Sequence, residues 1–157
     1  MTEELDTLDK ELIRLLCKDG QAPVADLAKR LSVTTPTVRT RIKRLIKSGL
    51  LRIAGSINTQ NHPELISALV AMKVQSFGKL EEVLQNLASI DQVIWAGVVT
   101  GRYDIFAEVV VAGGIAELHA LISNIIPRVG KVVQTETFVV TRPTKKWISM
   151  PQGMKEW

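Results

Sequence analysis

Apolar positions along this chain change their period near residue 64. Before it they recur at three- and four-residue spacings: Leu8, Leu12, Ile13, Leu15 and Leu16, then Leu27, Ala28 and Leu31, then Val38, Ile42, Leu45 and Ile46. Each set is the stripe of an amphipathic helix. After residue 64, strand-like runs alternate with helical stripes. Ile66 to Gln75 puts Ala68, Val70, Met72 and Val74 on one side of a strand, and Leu80, Val83, Leu84 and Leu87 mark a helix. Val93 to Thr100 and Tyr103 to Val111 are strands joined at Gly101-Arg102. A second helix carries Ile115, Leu118, Leu121, Ile122 and Ile125, and Val132 to Val140 is a fourth strand.

Three helices followed by β-α-β-β-α-β define an α+β chain. The first part is a helix-turn-helix head with a wing and the second a ferredoxin-like split-βαβ domain. The divisions expected are 1–57 for the head, 58–63 for a polar linker, 64–140 for the βαββαβ domain and 141–157 for a tail. An antiparallel sheet with both helices on one face leaves its other face bare. With Val, Ile, Phe and Trp available on both sides of these strands, a second copy should cover that face, which predicts a homodimer.

The ends of the head helices carry their own signals. Asp6 and Asp9 fit an N-cap and an acidic N3, and Gly20 closes the first helix. Ser32 and Val33 form the bend of a helix-turn-helix, Thr34 stands where an N-cap hydroxyl serves, and Pro36 falls in the first turn. Gly49, followed by apolar Leu50, reads as a C′ glycine, so the third helix spans about Thr35 to Ser48. Leu50 to Ile57 reads as a short extended pair, the wing.

Charge sharpens this picture. From Ser32 to Arg52 there are six bases and no acid, whereas an ordinary solvated helix face interleaves both signs. In a helix-turn-helix the second helix of the motif places its N-terminal residues over base edges. The DNA-binding candidates are Thr34, which also caps that helix, Thr35, Thr37, Arg39 and Thr40, the last four over base edges, and Arg41, Lys43, Arg44 and Lys47, mostly as phosphate contacts. Residues 1–60 carry eleven bases against seven acids, residues 61–140 five against eight, and residues 141–157 four against one. The net +4 therefore divides between modules with different partners, and the basic one fits double-stranded DNA.

The segments LDTLDKELIRLLCKDG, DLAKRLSV, RIKRLIKSGLL, VVTGRYD and GKVVQTETFVV together resemble the Lrp/AsnC family of leucine-responsive, feast/famine regulators, from about Leu5 to Val140. Pro23 stands where that family usually has a Ser cap. The resemblance implies a winged helix-turn-helix joined to an amino-acid-metabolism regulatory domain, dimers through that domain and often octamers. It also implies transcriptional control tuned by a small effector, commonly an amino acid, bound near the loop that here reads Thr100-Gly101-Arg102-Tyr103-Asp104. The chemistry of that turn suits a zwitterion: Asp104 offers a carboxylate to an ammonium, Gly101 allows close backbone approach, and Thr100 and Tyr103 add hydroxyls, while Arg102 reads as solvated.

Other chemistry is thin. His62 and His119 lack a partner at metal-ligand spacing, and no P-loop, GxSxG or paired-carboxylate signature occurs, so no enzyme, metal or cofactor is expected. His119 reads as a partly buried helix residue, the lone Cys17 as core packing in a reducing compartment, and Trp95 and Trp147 as packing or interface residues. The acidic N-terminus has no signal-peptide pattern, and no run of about eighteen apolar residues spans a bilayer. A cytoplasmic protein without a membrane partner is expected. Two other readings share the architecture: a decarboxylase of the haem-biosynthesis type, which has no need of a basic recognition helix, and a DNA-wrapping protein that binds without sequence preference.

Overall fold

The computed structural model of the chain describes residues 4–59, 62–144 and 148. Residues 145–147 and 149–157 of the expected tail, Trp147 among them, lie outside the described residues, as do Gln60 and Asn61 of the expected linker. The chain forms two compact units that divide between Ala54 and Gly55.

The first unit holds α1 (Thr7–Lys18), α2 (Val24–Arg30) and α3 (Thr35–Lys47). At the start of α1 the Asp9 N–H donates to the Asp6 carboxylate at 2.8 Å and the Asp6 N–H to the Asp9 carboxylate at 3.4 Å, a reciprocal capping box. Helix α2 begins at Pro23 with no side-chain cap. Ser32, at φ +54°, makes the bend before α3. Leu12, Leu27, Val38 and Leu45 from the three helices are almost wholly buried together, each contributing about 1.5–3 kcal/mol of transfer free energy. Past α3, Gly49 adopts φ +75°, and the Gly49 and Leu51 N–H groups return to the Ile46 and Leu45 carbonyls.

Three expectations fail in detail. No wing ladder forms over Leu50–Ile57 among the described residues: the one bridge there joins Ile57 to Ile148, with N–H···O distances of 2.8 and 3.1 Å. Eight residues with a single late glycine lack the two-residue turn a hairpin needs, and Ile57 pairs instead with the distant C-terminal segment. Cys17 is exposed, not core, because it follows Leu16 by one helical position and points away from the Leu12–Leu16 stripe. His119 is also exposed, its Nε2 3.5 Å from the Ser123 hydroxyl.

The second unit is an antiparallel sheet in the order β2-β3-β1-β4, built from β1 (Leu65–Val74), β2 (Val93–Val98), β3 (Ile105–Ala112) and β4 (Val132–Val139). Helices α4 (Leu80–Ala88) and α5 (Gly114–Ala120) lie on one face, where Val83, Leu87, Leu118 and Leu121 bury Ala68, Val70, Met72, Ile105, Ala107 and Val109. Helix α5 widens into a π turn over Leu121–Ile125 and tightens at Ile126–Arg128. Pro127 explains the change, since its missing N–H and its ring cannot continue the α pattern. Gly130 is required by space as well as by φ (+156°): a Cβ there would stand 2.7 Å from Val83 Cγ2.

Among the described residues of this unit, no helix lies on the other sheet face. Strand register sets one row across it, Trp95, Glu108, Leu69 and Phe138, and beside it a second, Gly97, Phe106, Ala71 and Glu136. Trp95 and Phe138 are nearly half exposed there.

Candidate functional site

The basic face belongs to α3. Thr34 caps it, its hydroxyl accepting from the Thr37 N–H at 3.4 Å and sharing a 2.8 Å hydrogen bond with the Thr37 hydroxyl. Arg39, Thr40, Lys43 and Lys47 are exposed, while Thr35 and Thr37 are half-buried. Pro36, Thr37, Thr40, Arg41 and Arg44 line a shallow depression of about 470 Å³. Four of the five are residues that the sequence assigned to DNA.

Two of those residues are already engaged within the head. Arg41 Nη1 lies 2.6 Å from Asp6 Oδ2 and 2.7 Å from Asp9 Oδ1, and Arg44 Nη2 pairs with the other oxygen of Asp9. The Asp9 side chain is only 1% exposed, so a buried carboxylate at the start of α1 is held by two guanidinium groups of α3. Charge-assisted pairs of this kind are stronger than neutral hydrogen bonds. The Asp9 N–H, followed by the Arg41 guanidinium, holds the Asp6 carboxyl below the ordinary carboxylate range. Asp9, followed by Asp6, pushes the Arg41 guanidinium further up. The sequence showed an acid-free run from Ser32 to Arg52, but the acids that answer it come from more than thirty residues upstream. An acidic first helical turn in a head so rich in bases was the available signal.

The β2–β3 turn also has its polar groups engaged. Asp104 is buried and its carboxylate accepts the Val74 N–H at 2.8 Å, where the β1–β4 register shifts. The Asp104 N–H donates to the Met72 carbonyl and its own carbonyl accepts from Val99, each at 2.9 Å. Tyr103 is buried, its hydroxyl donates to Glu136, and its ring meets Phe106 edge-on at 6.3 Å. Glu136, then burial, raises the Tyr103 phenol above its usual range. Thr100, Gly101 and Arg102 remain exposed. Gly101, at φ +128°, has nothing within 4 Å of the place a Cβ would take, and the Arg102 guanidinium rests 5.6 Å from the Tyr103 ring centre. The carboxylate that the sequence offered to a ligand ammonium is thus bonded to backbone, and the open surface of the turn is Thr100 to Arg102.

Sequence reasoning passed over Glu108. It is buried in β3 yet projects onto the helix-free face, accepting from the Ser67 hydroxyl at 3.0 Å and the Trp95 indole at 3.2 Å. A lone acid inside the apolar run IFAEVVVA was the signal. Among the described residues no group of three or more His, Cys, Asp or Glu could hold a metal, and no helix is long and apolar enough to cross a membrane.

Comparison with known proteins joins the two units. Residues 5–46 match the AsnC-type helix-turn-helix domain, and residues 67–148 match the Lrp/AsnC ligand binding domain. An uncharacterised HTH-type transcriptional regulator of Pyrococcus horikoshii is 34% identical over 92% of this chain and 90% of its own length. The regulatory protein AsnC of Haemophilus influenzae is 29% identical over 86% and 90%. The structure of E. coli AsnC superposes with a TM-score of 0.71 at 24% identity, covering 90% of this chain and 95% of that one. A Neisseria meningitidis transcriptional regulator solved as an L-Met complex does so with a TM-score of 0.74 at 15% identity, covering 96% and 98%. With a capped basic helix in the first unit and a match to the Lrp/AsnC ligand binding domain in the second, the chain belongs to the Lrp/AsnC family of HTH-type transcriptional regulators.

Proposed function

We propose that this regulator reads DNA through the N-terminal half of α3, with Thr35, Thr37, Arg39 and Thr40 over base edges and Lys43 and Lys47 on phosphates. The observation that carries this reading is the exposed, acid-free face of a capped helix within an AsnC-type helix-turn-helix. The effector is an amino acid, bound where Thr100 and Gly101 leave open surface, with Tyr103 and Asp104 holding the turn in shape. The ligand-binding domain match and a fold relative solved with L-Met support that class. Two copies pair through the helix-free sheet face, where Trp95, Leu69 and Phe138 offer apolar area. The chain works in the cytoplasm and catalyses no reaction.

The test uses the full chain, a random-sequence duplex and the tightest duplex recovered from a random library. Arg39→Ala should erase the preference for the selected duplex, while Lys43→Ala should weaken binding to both and reduce the salt slope by about one. Equal loss on both duplexes for both variants would refute this division of roles. A thermal-shift series over the twenty amino acids should raise the melting temperature for at least one of them, and no shift from any of them would exclude an amino-acid effector.

A further inference from the structure

Arg41 and Arg44 line the same depression as Thr37 and Thr40 on the DNA-facing helix, yet their guanidinium groups are held by carboxylates of α1. A carboxylate and a phosphate make the same demand on a guanidinium, two oxygens in the plane of its fork. Asp6 and Asp9 each place one oxygen on Arg41 Nη1, at 2.6 and 2.7 Å, and so compete with a DNA phosphate for that nitrogen. Asp9 is fixed there, buried and locked by the capping box, whereas the Asp6 side chain is about half exposed, at 52%.

From this geometry we infer that Asp6 and Asp9 are specificity-determining residues, an internal acidic competitor that withholds Arg41 from the phosphates of arbitrary DNA. The inference deepens the proposed reading of α3 and rests on it. Binding to arbitrary sequence depends almost wholly on the number of phosphates neutralised, and each adds about 0.9 to the slope of log affinity against log salt. A recognition helix with every base free would hold all duplexes tightly. With Arg41 already paired, the phosphate term shrinks by one contact, while the base contacts of Arg39 and the threonines are untouched. The ratio of selected to random binding rises. Long-range packing is served by the same atoms, since the pairs also fix α1 against α3, but a purely architectural role makes a different prediction about salt.

The experiment measures affinity of the full chain for the random-sequence and the selected duplex between 50 and 200 mM NaCl, comparing the parent with Asp6→Asn and Asp9→Asn. Asn is as good an N-cap as Asp, so Asp6→Asn keeps the helix start and removes only the charge. Because Asp9 still holds Arg41 at 2.7 Å, this variant should steepen the salt slope by a fraction of one, a further fall of less than about 3.5-fold in random-duplex affinity across that range. At 50 mM the variant should bind the random duplex more tightly than the parent does, with a lower selected-to-random ratio. Asp9→Asn should act in the same direction and more strongly, with its melting temperature recorded beside it. Unchanged slopes in Asp6→Asn, or weaker binding to both duplexes at unchanged slope, would overturn the inference and leave the carboxylates a packing role. Should the parent itself bind neither duplex at 50 mM, the DNA-reading assignment of α3 falls and this inference with it.

Discussion

Asp9 in the head and Asp104 in the β2–β3 turn are both buried carboxylates, and they are satisfied in opposite ways. Asp9 is held by two partly exposed, charged side chains from another helix. Asp104 is held by one backbone N–H of β1. The first arrangement is an ion pair between partly exposed arginines and an acid, so salt and competing anions act on it. The second is a 2.8 Å hydrogen bond to backbone inside a sheet, on which salt has little effect. The contrast teaches where adjustment is built in: the carboxylates of the head meet charged side chains, whereas the turn is tied to the backbone of the sheet.

The comparison can be broken most forcefully at the turn. Asp104→Ala leaves the buried Val74 N–H without its acceptor, which should cost about 1–3 kcal/mol. Hydrogen exchange of the full chain should show faster opening of peptides from β1 and β3, with the same difference at 0.1 and 1 M NaCl. Protection equal to the parent would show that the turn does not depend on this carboxylate.

A smaller effect is expected at Arg41→Ala, since Asp9 keeps Arg44. Peptides of α1 should open faster than in the parent at low salt, and the difference should narrow at 1 M NaCl as screening weakens the ion pair in the parent. An effect as large and as salt-independent as that of Asp104→Ala would erase the distinction drawn between the two sites.

The smallest effect concerns pH. Asp6 has its carboxyl lowered from 3.8 by the Asp9 N–H and Arg41. A depressed carboxyl contributes stability that is present above the unfolded value and lost as pH falls through the folded one. Protection of α1 should therefore be flat from pH 7 to 5 and decline below pH 4, and Asp6→Asn should flatten part of that decline. An identical decline in the variant would assign it to other carboxylates.

Sequence pattern made most of the fold legible, because its signals are local. The period change near residue 64, the Thr34 cap, the bend at Ser32 and the glycine at 49 each act within a few residues, and so the three helices and the βαββαβ order follow from them. The partners of the functional residues were illegible for the complementary reason. Asp9 and Arg41 are separated by 32 positions, and Asp104 and Val74 by 30; no spacing rule links them until the helices and strands are packed. The same holds for Gly130, whose place against Val83 depends on the approach of α4. For Arg41, Arg44 and Asp104 the sequence implied availability, and tertiary structure decided otherwise.

The bridge between Ile57 and Ile148 has a topological meaning. The chain passes Ile57 before tracing all four strands and returns to the same place at Ile148, itself almost wholly buried. Among the described residues, the path of the second unit from Ile57 to Ile148 is therefore closed into a loop by two backbone hydrogen bonds. The bridge holds the two ends of that path together across a sequence separation that includes all four strands.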